Sequence, residues 1–290
     1  MSWAFAPERG PRANVRRVAF RQVEKALESL ARPGPPHAHE PRRCVKRLRA
    51  LVRLCRHALP DQQREGLDRE LRIVGRALGG LRDAEALPQT LAGLALPAAT
   101  LAPLQQQAHA ALDAVRDAAQ PSLLVAISVL HGVDDRLRDL ALEGGWTALL
   151  RGLGHAFGRG RRARVGLDVA VDSDAFHRLR KRVKDVHCQA RLFAAGGGAI
   201  TALIDATGEL GDRLGEERDL ALLEARLASG WGGLAGDDRR DVVAAVAARR
   251  LLLRAEALAL AEHVFAERRR DIVGRVRAHW RDARRQTAPA

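Results

Sequence analysis

The sequence predicts an all-α protein assembled from two similar halves. Three observations carry that prediction: an apolar content of 47% in which strand-forming aromatics are scarce and Tyr is absent, apolar spacings that follow the helical period throughout, and a motif stated twice. Ala, Leu and Arg dominate, all strong helix formers, whereas β-branched and aromatic residues would be needed for substantial sheet.

Helical periodicity begins near Asn14 and runs to Leu30, where the PGPP cluster at Pro33 to Pro36 interrupts it. A second helix is predicted from about 38 to 59. Pro41 falls in its first turn, where its missing N–H has no intrahelical partner to lose. Further helices are predicted at about 61–79, 82–95, 100–119 and 122–142, the last with Pro121 at its start. Gly144 and Gly145 interrupt the pattern near the midpoint. Beyond them the expected helices are 146–163, 173–195, 199–214, 217–229, 238–266 and 268–285. The organisation expected is an N-terminal extension over 1–13, a first helical half over 14–143, a second over 144–285, and a fraying tail at 286–290.

The net charge is +14, so an anionic partner is expected: nucleic acid, an acidic membrane surface or a phosphate polymer. Only four of the basic residues are lysines, Lys25, Lys46, Lys181 and Lys184; the other 45 are arginines. Cys44, Cys55 and Cys188 form no CxxC pair and no metal-ligand spacing, which fits a reducing cytosol and predicts neither disulfides nor a metal. Residues 1–14 lack an apolar signal core, and no stretch reaches the roughly 20 apolar residues of a membrane span. A cytoplasmic location off the membrane is expected.

The repeat lies between two histidines 138 residues apart. At +3, +7, +10 and +14 from His39 stand Arg42, Lys46, Arg49 and Arg53; at the same offsets from His177 stand Arg180, Lys184, His187 and Arg191. Apolar positions recur with them, Val45 with Val183, Leu48 with Val186, Val52 with Ala190. Downstream, LGGLRDAEAL at Leu78 to Leu87 is echoed by LGEERDLALL at Leu214 to Leu223. Internal duplication follows, and with it two equivalent helical bundles.

On a helix the offsets 0, 3, 7, 10 and 14 fall within an arc of about 80° and span about 21 Å. Each row is therefore one basic ridge beside an apolar stripe. Like charges three and four residues apart destabilise a helix by a few tenths of a kcal/mol per pair, so an external anion is expected to neutralise the ridge. Arginine's planar fork suits phosphate oxygens. A solvated basic face is the alternative for one helix, and repetition at matched positions argues against it. Arg43, Arg82, Lys181 and Arg218 join the candidate ligands. Asp83 and Asp219 are read as supports, either capping a helix start or orienting a ridge arginine. The reading requires that both rows face one shared cavity. HAFGRGRRAR, from His155 to Arg164, adds four arginines ahead of the second ridge.

At these residues the sequence resembles the CHAD family, the conserved histidine α-helical domain. The segments that carry the resemblance are HEPRRCVKRLRALVR (39–53), HRLRKRVKDVHCQAR (177–191), the LGxxRD elements and HAFGRGRRA, over about residues 14–283. The resemblance implies two pseudo-symmetric four-helix bundles forming one domain with a central basic groove or pore. It further implies binding of inorganic polyphosphate and association with polyphosphate granules and their proteins. The ligands it implies are His39, Arg42, Lys46, Arg49, Arg53, His177, Arg180, Lys181, Lys184 and Arg191. His187 and Cys188 depart from the family's frequent Arg and Tyr, so the second ridge is expected to grip more weakly at neutral pH. Some members are fused to a triphosphate tunnel domain with an ExExK element, which is absent here.

Weighed on the residues, polyphosphate needs only a row of cations. Nucleic acid is the alternative, but single-strand binders place aromatic rings among their cations, and Phe and Trp make up 3% of this chain with none on the ridge. No Walker loop and no nucleophile–base constellation is present. No catalytic residue and no cofactor are expected.

Overall fold

The computed structural model describes residues 3–170 and 173–287. Within them lie eleven α-helices, two single-turn 3-10 helices and no strand, as the composition predicts. The helices are α1 (Pro11–Leu30), α2 (His39–Leu54), α3 (Asp61–Ala77), α4 (Gly79–Ala92), α5 (Ala98–Asp117), α6 (Gln120–Arg138), α7 (Gly145–Arg164), α8 (Ser173–Leu192), α9 (Gly198–Ala228), α10 (Gly236–Val264) and α11 (Arg269–Gln286).

Most boundaries fall where the punctuation puts them. Pro41 stands in the first turn of α2 and Pro121 in that of α6. Gly144 precedes α7 with φ of 70°, a left-handed conformation that costs glycine little. One prediction fails: the two helices expected at 199–214 and 217–229 are a single helix, α9, of 31 residues. Gly215 lies at the expected junction. A glycine inside a helix costs only about 1 kcal/mol, and the buried row Leu210, Leu214 and Leu220 that runs past it outweighs that cost. Of the tail, Ala288 to Ala290 lie outside the described residues.

Two residues of the N-terminal extension enter the core. Trp3 and Phe5 are buried, and Phe5 packs edge-on against Phe193 and Trp146, with ring centroids 5.3 and 5.5 Å away. Trp280 completes the cluster, 4.9 Å from Trp146. The Phe5 N–H donates to the Leu192 carbonyl at 2.7 Å, and Trp3 Nε1 donates to that of Cys188 at 2.7 Å. The segment thus ties the chain's start to the end of α8. Apolar packing also crosses the expected boundary at 143/144. One cluster joins Leu87, Leu91 and Leu104 of α4 and α5 to Leu223, Val242 and Val246 of α9 and α10.

α2 and α8, the two ridge helices, pack against each other in opposite directions. Gln189 Nε2 donates to the Ala50 carbonyl at 3.0 Å, and Arg53 donates to Asp185 at 2.6 Å. Their apolar stripes are sealed as predicted: Val45, Leu48 and Val52 on α2 and Val183, Val186 and Ala190 on α8 are all buried. α7 lies so close to α2 that a Cβ on Gly152 would come within 1.9 Å of the Leu54 carbonyl oxygen.

Candidate functional site

A cavity of about 530 Å³ opens where α2 and α8 meet α4, α9 and α10. α2 contributes His39, Arg42, Arg43, Lys46 and Arg47; α4 contributes Arg82; α8 contributes Arg180, Lys184, His187 and Arg191; α10 contributes Arg249. Asp212, Glu216 and Asp219 of α9 supply the carboxylates. Nine arginine and lysine side chains therefore face three acidic ones. No aromatic ring other than the imidazoles lines the space.

Three of the nine cations have carboxylate partners: Arg43 meets Glu40 at 2.6 Å, Lys184 meets Asp212 at 3.2 Å and Arg249 meets Glu216 at 2.7 Å. Lys184 lies along α9 because Gly211 lets it; a Cβ there would be 2.9 Å from its Nζ. At the centre, Arg42, Lys46, Arg82 and Arg180 have no carboxylate within ion-pair distance among the described residues. Arg42 donates instead to the Gly75 carbonyl at 2.7 Å, and the Nε atoms of Arg42 and Arg180 are buried without a partner.

Electrostatics records the crowding. Burial, followed by the charges of Arg180, Arg42, Arg82 and Lys184, holds Lys46 down to about 8. Lys46 is nevertheless exposed to solvent, which screens these interactions. Arg42 and Arg180 are likewise lowered by burial, against the opposing pull of Asp83 on the first and Asp219 on the second. Asp219 is itself raised by burial despite Arg180, Arg82 and Lys46. His39 is lowered by burial and then by Arg82 and Arg43. His187 donates from Nδ1 to the Ile204 carbonyl at 3.1 Å, leaving Nε2 as the nitrogen free of that bond; burial and Lys184 lower its pKa.

The expectation that both rows face one cavity needs correction. Of the predicted ligands, His39, Arg42, Arg43, Lys46, Arg82, Arg180, Lys184, His187 and Arg191 line it, whereas Arg49, Arg53, His177, Lys181 and Arg218 do not. Because α2 and α8 are antiparallel, the start of one ridge meets the end of the other. The first part of the α2 ridge, His39 to Arg47, shares the space with the later part of the α8 ridge, Arg180 to Arg191. Arg49 and Arg53 are drawn to Asp68, at 3.0 and 3.4 Å, and Arg53 also to Asp185. Their neutralisation comes from α3 and α8, so a ridge read alone looks more naked than it is. His177, Lys181 and Arg218 form a separate basic group. Burial, then Lys181, Arg218 and Arg180, push His177 down to about 4.

Asp83 does not line the cavity, and the capping alternative fails for both aspartates: α4 starts at Gly79, and Asp219 lies deep inside α9. They act on Arg42 and Arg180 as charges. The end of α2 that carries His39 is capped by Glu85, whose carboxylate accepts from the Ala38 N–H at 2.7 Å. Sequence reasoning missed Arg47 and Arg249. Arg47 follows Arg43 by one helical turn and was legible as such; Arg249 belongs to no repeat.

Among the described residues no group of three His, Cys, Asp or Glu side chains is placed to hold a metal. No helix among them is long and apolar enough to cross a membrane.

In three dimensions the chain is similar to the CHAD domain from the plant Ricinus communis, with a TM-score of 0.64 at 19% identity over 96% of this chain and 94% of that one. It is also similar to PptA from Streptomyces chartreusis, with a TM-score of 0.59 at 18% identity over 89% and 98%. No curated protein sequence matches it. The CHAD domain model matches residues 16–228, a span that holds both ridge helices, both RD elements and all the cavity's lining except Arg249. This chain belongs to the CHAD domain family.

Proposed function

We propose that the chain binds inorganic polyphosphate in the cavity between α2 and α8. One observation carries the reading: the central cations Arg42, Lys46, Arg82 and Arg180 converge without carboxylate partners, and Lys46 is held at about 8 by its neighbours. Such a cluster is a store of unfavourable energy that a polyanion releases. Polyphosphate offers about one negative charge per unit and only oxygens to recognise, which guanidinium forks meet bidentately. No stacking platform is needed, and the cavity provides none. The family resemblance points the same way. A chain that grips this polymer is expected to co-sediment with polyphosphate granules in the cytoplasm.

The test is competition. Long-chain polyphosphate is expected to bind with a steep salt dependence, because neutralised cations release counterions from the polymer, and duplex DNA or RNA at equal phosphate concentration should displace little of it. Arg42→Glu and Arg180→Glu should each weaken binding far more than Arg281→Glu on the exposed face of α11, with helicity unchanged. Equal losses in all three, or efficient displacement by nucleic acid, would overturn the reading in favour of nonspecific charge or a nucleic-acid module. The reading includes no turnover, so incubation with polyphosphate, ATP and magnesium is expected to release no orthophosphate.

A further inference from the structure

A second cavity, of about 170 Å³, lies between α2, α3, α7 and α8 and shares no lining residue with the first. Its walls carry five arginines, one histidine and two aspartates. The aspartates are already engaged: Asp68 with Arg49 at 3.0 Å and Arg72 at 3.1 Å, Asp185 with Arg53 at 2.6 Å. Arg64 is held by Asp61 and Glu65, at 2.8 and 3.0 Å, and Arg182 reaches Asp185 only at 3.9 Å.

Arg56 and Arg159 remain. Neither has a carboxylate within ion-pair distance among the described residues, and the Arg56 Nε is buried without a partner. An Arg56 Nη donates to Nε2 of His155, a contact that satisfies a donor but cancels no charge. With Nε2 accepting, the neutral imidazole carries its proton on Nδ1 and is itself a donor. Gly152 and Ala156, on the same α7 face as His155 and Arg159, complete that wall. Two uncompensated guanidinium groups and an imidazole thus surround a space too small for a polymer to thread.

We propose that this second cavity binds a single tetrahedral phosphoryl group, held chiefly by Arg56 and Arg159 with His155 beside them. The group is supplied either as free orthophosphate or as the end of a polyphosphate chain. The proposal does not rest on polyphosphate filling the first cavity.

His155 reports on occupancy. In the free protein burial, then Arg56, Arg159, His57 and Arg162, hold it at about 4; Arg182, Arg64, Asp68 and Asp185 face it from α8 and α3. A bound anion within about 5 Å raises an imidazole pKa by one or more units. The experiment is an NMR pH titration of the full chain, with the His155 signal assigned by its loss in His155→Gln. The expected result is a rise of about one unit or more in saturating orthophosphate, retained in the Arg42→Glu, Arg180→Glu double variant and abolished in Arg159→Gln. If only polyphosphate moves the signal, the chain end is the source. The proposal is overturned if neither probe moves His155 in the unaltered protein. It is also overturned if a folded Arg159→Gln responds as the unaltered chain does.

Discussion

Replacing Lys46 by glutamine should stabilise the free protein while weakening its grip on polyphosphate. A fall from 10.5 to about 8 corresponds to about 3.4 kcal/mol at 1.36 kcal/mol per tenfold change. Water reaches Lys46, and solvent screening reduces such terms severalfold, leaving about 1 kcal/mol. In a protein of this size that is a rise of about 2–4 °C in Tm. Lys184, the corresponding residue on α8, makes the contrast, because Asp212 lies 3.2 Å from its Nζ; Lys184→Gln should bring no stabilisation. The folded protein holds the Lys46 proton less tightly than the unfolded chain. The cost of the charge is therefore fully present below about pH 8 and disappears as pH rises toward 10.5. The advantage of Lys46→Gln should shrink across that window. Differential scanning calorimetry in low salt without phosphate, at pH 7 and at pH 10, measures both effects. If Lys46→Gln and Lys184→Gln lower Tm alike at pH 7, the cavity holds no uncompensated charge at its centre. Bound polyphosphate should restore the Lys46 proton, so affinity should fall as pH rises through about 8.

Gly152→Ala should destabilise by about 3 kcal/mol or more, since its Cβ would meet backbone, not a movable side chain, 1.9 Å away; chemical denaturation measures it. Glu217→Gln should cost about 3 kcal/mol or more, because Glu217 is buried and receives Arg250 at 2.9 Å and Arg254 at 3.0 Å, and losing its charge weakens a buried network in which Arg250 retains Glu224. A midpoint shift in urea worth less than about 1 kcal/mol would show that these arginines find other partners.

The helices, the duplicated rows and the sealed apolar stripes beside them were legible because each depends on neighbours three and four residues apart, and that spacing is written along the chain. The same logic identified Arg42, Lys46, Arg180 and Lys184. It misplaced a break between 214 and 217, where packing on both sides carries α9 through. Arg49 and Arg53 looked unpaired because their carboxylates, Asp68 and Asp185, lie on other helices. Arg249 was invisible, since nothing in its own segment marks it as a wall of the cavity.

By itself, then, the sequence determined that this protein is helical and carries two matched, strongly cationic rows. Only the tertiary structure decided which cations meet. The antiparallel packing of α2 on α8 brings the start of the first ridge to the end of the second and sends His39 and His177 into different surroundings. The direction in which two helices cross is set by side-chain packing between distant segments, and no periodicity within either helix encodes it.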